Sequence, residues 1–276
     1  MLTELKKNMR MPVLLMQISG LIVLFMVSRA VTGADGKEYN IWQILMLHGK
    51  LELTKRLEYS WPEIWKNGMG TWALLAAPVL CCAGIIYCSG EERRRGAGKF
   101  IKIRQSRLRY TFSKVLSGMI ACAVTLTGAY LLFGLILLPF FPKPSGYEGD
   151  FREILVLTYG NNMWIFALKR SLGVFMMGMA MSAIPIVLGA FLDDRYLMVS
   201  LPFLGEYIYE RVILKLYYIP WVSEHFDIIE AVNIENFPAI FTMQRPWIAG
   251  LMFACMIIAT FVIYHLICFG RMDELV

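Results

Sequence analysis

The chain is predicted to be an all-α polytopic membrane protein with six transmembrane helices, cytoplasmic N- and C-termini and short amphipathic outer helices. Three observations predict this. Of its 276 residues 58% are hydrophobic and only 17% charged, too apolar for a soluble domain whose surface must be polar. The sequence also holds several uncharged stretches near the ~20 apolar residues that cross a hydrocarbon core as a helix. Finally, residues 91–114 carry nine Lys/Arg (Arg93, Arg94, Arg95, Lys99, Lys102, Arg104, Arg107, Arg109 and Lys114) between two such stretches. A strongly basic loop between two spans stays in the cytoplasm.

The spans follow in order. Residues 11–28 are uncharged and follow a short polar start. This run is too long for the apolar part of a signal peptide, so it reads as a retained first helix. Residues 71–90 and 115–141 are the second and third spans, residues 171–192 the fourth and residues 247–270 the sixth; none holds an Asp, Glu, Lys or Arg. The fifth, 196–219, carries Glu206, Glu210, Arg211 and Lys215. Glu206 and Glu210 are four residues apart and share a helix face. A straight helix puts Glu206 near mid-membrane, where an ionisable group faces a cavity or a partner. Alternatively the chain bends near Pro202 or Gly205 and residues 206–244 form a partly re-entrant outer structure. Glu206 and Glu210 are candidates for a substrate path, against a neutralised packing pair near the outer interface.

The outer loops are patterned. Ile41, Ile44, Leu45 and Leu51 fall near helical spacing. Ser60 with Glu63, and Asp150 with Glu153, form capping-box patterns ahead of apolar residues. These segments are expected to lie along the outer membrane surface. Alternation then places residues 91–114, 193–195 and 271–276 inside, and 29–70, 142–170 and 220–245 outside. Residues 1–276 form a single transmembrane domain, without internal repeats or a soluble domain of any size.

Catalytic chemistry is sparse. Cys81, Cys82, Cys88, Cys122, Cys255 and Cys268 all fall within candidate spans without zinc-site or CxxC spacing, and read as small apolar packing residues with no disulfides. The three histidines form no paired motif; His265, near the inner end of the last span, reads as a hydrogen-bonded packing residue. No HExxH, GxSxG or GxxxxGK[ST] occurs. The expectation is no catalytic residue, no metal and no cofactor in this chain. Five of six spans lack charge, unlike an ion-driven carrier. Uphill transport would need an external motor.

The second span ending in Glu91-Glu92-Arg93, then Gly96, a basic stretch through Ser106-Arg107 to Tyr110, and Lys114 opening the third span resemble the membrane (permease) subunits of type 2 class ABC exporters. That family has an acidic residue ending the second helix, a Gly a few residues on, then a Ser-Arg pair and a Lys. It often has Thr after the Gly and Pro before the Ser-Arg, where this chain has Ala97 and Gln105. The resemblance implies that residues 91–114 dock on a separate ATP-binding cassette subunit, which would hold the ATP and Mg. It assigns coupling to Glu91, Glu92, Arg93, Gly96, Ser106, Arg107, Tyr110 and Lys114. The implied protein is a multi-pass cytoplasmic (inner) membrane permease exporting a peptide, an antibiotic or a lipid-like molecule. It would work as a dimer with a second copy or a homologous membrane subunit. Small residues at Gly178 and Ser182, and at Gly250 and Ala254, allow close helix approach. The basic charge is juxtamembrane and fits the lipid bilayer, not a nucleic acid. The alternatives from other classes are a non-transporting accessory or immunity protein and an ion-coupled carrier.

Overall fold

The computed structural model describes residues 2–32, 38–47, 57–94, 106–143, 150–160, 162–192, 194–216, 218–220, 226–243 and 245–270. It is mostly helical. Helix α1 (Leu2–Asn8) leads into α2 (Met11–Val27). A short ribbon pairs β1 (Arg29–Thr32) with β2 (Glu38–Asn40), followed by α3 (Ile41–Leu47) and α4 (Trp61–Asn67). The long helices are α5 (Thr71–Arg94) and α6 (Arg107–Leu137). Then come α7 (Asp150–Tyr159), α8 (Met163–Met181), α9 (Ala183–Phe191) and α10 (Arg195–Leu216). The chain ends in α11 (Phe226–Val232), a 3₁₀ segment (Ile234–Thr242) and α12 (Pro246–Gly270).

Each apolar stretch predicted to be a helix is helical, the fourth as two successive helices. Three of the resulting segments are long and apolar enough to cross a membrane: Arg107–Leu137, Glu153–Ala190 and Pro246–Cys268. Met11–Val27 and Ala73–Cys88 are apolar but shorter. The boundaries around the basic stretch shift, because α5 continues to Arg94 and α6 begins at Arg107. Long basic side chains are good helix formers, so charge alone does not end a helix.

Proline explains one departure and not another. The fourth apolar stretch breaks at Ser182, between α8 and α9. Pro185 lacks the N–H that would bond Met181 O, which interrupts the ladder there. Ser182 Oγ donates to Met179 O at 2.6 Å. In α10, Pro202 leaves the helix continuous over Arg195–Leu216.

The ribbon was not foreseen. It is antiparallel, with Arg29 opposite Asn40 and Thr32 opposite Glu38, and its connecting residues lie outside the described ones. In α3, Ile41 and Ile44 are buried and Trp42 and Met46 exposed, while Leu51 lies outside the described residues. The Ser60 capping box does not form as drawn. Ser60 does stand at the N-cap of α4, but its side chain makes no cap bond. Pro62 occupies the second helical position and offers no N–H, and the Trp61 N–H instead donates to Pro142 O at 2.9 Å. Helix α7 already includes Asp150, and the residues before it lie outside the described ones.

The core is organised on α6, which packs against α1, α2, α4, α5, α8 and α12. Two short approaches set its neighbours. A Cβ on Gly178 of α8 would stand 2.8 Å from the Cα of Ala123, and one on Gly134 of α6 would stand 2.6 Å from Trp65 Nε1. Trp61 Nε1 donates to Gly134 O at 2.8 Å and Trp65 Nε1 to Tyr130 O at 3.0 Å. Tyr130 OH returns a bond to Trp65 O at 3.1 Å. The rings of Trp61, Trp65 and Tyr130 stack in sequence, 4.8 and 4.7 Å apart. Paired contacts give helix directions. Cys82 meets Cys122, and Ile85 lies beside Gly118, so α5 runs opposite to α6. Arg170 meets Tyr130 and His265 meets Thr111, so the start of α8 lies at one end of α6 and the end of α12 at the other.

Alanine at Gly134 should therefore force Trp65 aside. The expected loss is about 1–3 kcal/mol, the usual cost of overpacking. Gly128 lies on the same helix with open space around its Cβ direction, so Gly128→Ala should be neutral or gain up to about 1 kcal/mol. Unfolding midpoints of the two variants in detergent test this; equal midpoints would remove the Trp65 approach as a constraint.

Candidate functional site

Two neighbourhoods collect the residues singled out in the sequence. The first is the end of the bundle from which the basic stretch leaves. Glu91, Glu92 and Arg93 occupy the last turn of α5, and Gly96 lies outside the described residues. Ser106 is the N-cap residue of α6 in extended conformation, without a side-chain cap bond. Arg107 opens α6 and is exposed. Tyr110 is buried at 6% exposure and shares a hydrogen bond with Tyr264 of α12. Lys114 also turns inward, and its Nζ donates to Glu4 of α1 at 2.6 Å, with side-chain exposures of 12% and 16%. Of the four coupling residues whose side chains are described, Ser106 and Arg107 face solvent while Tyr110 and Lys114 turn inward.

Sequence reasoning missed how tightly α1 is held. Besides the Glu4–Lys114 pair, Cys88 Sγ donates to Lys7 O at 3.2 Å. A Cβ on Gly84 would stand 2.7 Å from Asn8 O. Only glycine lets α1 approach α5 this closely. Nearby, the Thr111 hydroxyl donates to Arg107 O at 3.2 Å and lies 3.0 Å from His265 Nδ1. His265 Nδ1–H then donates to Thr111 Oγ1, as expected for a hydrogen-bonded packing residue.

The second neighbourhood is acidic. Glu206 in α10 is 8% exposed. It lines a crevice with Glu210, Tyr209, Leu74, Leu75 and Met181, closed by Asn233, Ile234 and Glu235. Its free space is about 10 Å³, at the lower limit for one water. Among the described residues none donates a hydrogen bond to Glu206. Tyr209 OH donates to Val232 O at 2.6 Å, and Asn233 Oδ1 accepts from the Glu235 N–H at 3.1 Å. These two bonds fold the 3₁₀ segment over Glu206. Glu235 is the partner that no local pattern could supply, because it arrives by the return of the chain after α11. Burial raises the Glu235 carboxyl above the usual range and the Glu210 charge adds to this, while the Asn233 hydrogen bond opposes it.

A larger cleft of about 430 Å³ lies beside the start of α8 and the end of the 3₁₀ segment, lined by Tyr159, Phe166, Lys169, Arg170 and Phe241 among others. Arg170 is fixed there. Its Nε donates to Tyr130 OH at 2.7 Å and its Nη2 to Lys66 O at 3.3 Å. The sequence offered only the Lys169-Arg170 pair at the edge of an apolar run.

The chain matches no protein-family model, no curated protein and no solved structure.

Two outcomes follow. Replacing Lys114 by Met should cost about 3 kcal/mol, the lower end for breaking a buried pair, since both side chains keep some exposure. The double variant Lys114→Met/Glu4→Met should recover part of that loss in a thermal-unfolding cycle; strict additivity would mean that the pair does not couple. The second outcome concerns Glu235. An acid whose folded pKa is raised resists ionisation in the folded state, so its penalty is present above the folded value and vanishes as pH falls below the unfolded one. Glu235→Gln should thus raise the unfolding midpoint at neutral pH, with the gain fading on acidification through the carboxylate range. A gain independent of pH would separate the effect from ionisation.

Proposed function

We propose that the chain is the membrane-spanning permease subunit of an ATP-driven ABC transporter, coupled through residues 91–114 to a separate ATP-binding subunit and exporting a lipid-like, peptide or antibiotic substrate. In this reading six helices cross the cytoplasmic membrane: α2, α5, α6, α8 with α9, α10 and α12. Both termini face the cytoplasm. The subunit pairs with a second copy or a similar membrane protein. Helices α3 and α7 rest at the outer surface.

One observation carries the reading. The basic stretch joins the ends of two antiparallel helices, and α1 is braced across both of them by Glu4–Lys114 and Gly84–Asn8. A push on residues 91–114 would therefore reach α1, α5 and α6 together. For the substrate, the cleft offers two cations and three aromatic rings at the far end of the bundle, which suits an amphipathic molecule with an anionic group. The apolar window of α12 is only 6% buried, as expected for a helix that meets lipid or a second membrane subunit.

The test uses the intact complex purified through this chain. Glu92→Lys and Arg107→Glu should reduce both retention of an ATP-binding partner and stimulated ATP hydrolysis, because lost interface charges cost about 2–5 kcal/mol. Wild-type retention and hydrolysis in both variants would reject the assignment.

A second reading, an ion-coupled carrier, draws on the burial of Glu206 against Glu210 and Glu235. It requires transport into vesicles containing this chain alone, abolished by Glu206→Gln and independent of ATP.

A further inference from the structure

Cys81 and Cys82 on α5 and Cys122 on α6 converge. Their sulfurs all lie within 4.8 Å of one another. Cys122 Sγ stands 2.9 Å from Cys81 Sγ and 3.3 Å from Cys82 Sγ. The three side chains are 0–2% exposed within the hydrophobic core, and all are free thiols. Adjacent residues on a helix point about 100° apart, so Cys81 and Cys82 both reach Cys122 only because α6 passes between their directions. The antiparallel crossing, not any sequence spacing, builds the cluster.

We propose that Cys81, Cys82 and Cys122 form a three-thiol binding site for a trivalent, thiophilic metalloid, taken up as neutral arsenous or antimonous acid. Soft thiolates select soft ions, and charge decides among these. Three thiolates on Cu(I) carry a net charge of −2, and on a divalent ion −1. Either would be an uncompensated buried charge. Among the described residues, Glu206 is the ionisable side chain in electrostatic contact with the cluster, and as an acid it supplies no balancing positive charge. A trivalent centre with three thiolates is neutral.

The reaction is neutral throughout. Three As–O bonds break and three As–S bonds form, and each thiol hydrogen leaves with a hydroxyl as water. Arsenic stays trivalent, so no oxidant or reductant is needed. Geometry agrees. Sulfurs on a tetrahedral zinc at ~2.3 Å stand about 3.8 Å apart. Two of the three separations, 2.9 and 3.3 Å, are tighter and the third lies within 4.8 Å, a triangle that a three-coordinate pyramidal centre can cap.

The experiment uses the full chain, reduced and purified in detergent micelles. It is incubated with arsenite, Cu(I) or Zn(II) in separate arms and desalted against excess glutathione. Wild type should retain one arsenic per chain, with near-ultraviolet sulfur-to-arsenic absorption and three of its six cysteines protected from maleimide. Cu(I) and Zn(II) should be lost. Cys122→Ser should lose the arsenic, whereas Cys255→Ser/Cys268→Ser should keep it. The proposal is overturned if wild type retains no arsenic, if Cys122→Ser retains it, or if Cu(I) or Zn(II) is held in its place. The wild-type arms decide the question even if a variant fails to fold.

Discussion

The fold depends on how closely other elements can approach the backbone of α6. Within a bilayer, lipid tails are as apolar as leucine, so helices gain little from hydrophobic association alone. Packing and interhelical hydrogen bonds must hold them. Helix α6 meets that need with small residues and exposed carbonyls. Ala123 receives Gly178 of α8, Gly118 receives Ile186 of α9, and Gly134 receives the ring of Trp65. At Gly134 and Tyr130 the approaching indoles bond the helix carbonyls themselves. Tyr130 O sits inside the helix ladder and accepts the indole through its second lone pair, whereas Gly134 O lies in the last turn, where the Leu138 N–H turns to Leu135 O, and Trp61 supplies it a donor. A short connecting helix is thereby fixed on the bundle, and through Tyr130 OH it holds Arg170 in place.

This arrangement was partly legible. Lengths of apolar runs gave all of the long helices, since a period of 3.6 and the absence of charge are properties of contiguous residues. Glu206 stood out in the sequence as an ionisable residue at the end of an apolar run, and it is buried at 8% exposure. Four features were not legible. Glu4–Lys114, Glu235 beside Glu206, the Trp61–Trp65 dock and the cysteine cluster all join residues far apart in the chain. In each case a single residue type carries no local signal. The two-stranded ribbon was missed for another reason: it is only three or four residues per strand, too short for a period of two to stand out. Ser60 reaches the N-cap position of α4 as its pattern suggests, yet its hydroxyl makes no cap bond, because side-chain orientation is set by packing that the local pattern does not contain.

The acidic crevice shows why α10 stays helical through Pro202. Proline inside a helix removes one ladder bond, and the helix persists where packing on its neighbours holds it. Here α10 packs against α5 and α9, and Gly205 lets Ile184 approach to 3.1 Å of its would-be Cβ. A bend at that point would carry Glu206 out of contact with Leu74, Leu75 and Met181 and leave those side chains without cover. Continuity of the helix and burial of the acid are thus one constraint.

Helix α5 ties the two neighbourhoods together. Its last turn opens the basic stretch, its middle carries Cys81 and Cys82, and its first turns present Leu74 and Leu75 to Glu206. At 1.5 Å per residue a displacement at its end would travel rigidly along it, except at Pro78. There the ladder lacks one bond and the helix is easiest to bend. Gln17 of α2 stands just beyond, its Nε2 donating to Leu80 O at 3.0 Å and Cys81 O at 3.2 Å. The segment after Pro78 is thus fastened to α2 and, through Gly84, to α1, while the segment before it is held by α10 and the 3₁₀ fold. Relative movement of the two halves must be absorbed at Pro78. The cysteine cluster and the acidic crevice lie on opposite sides of that joint.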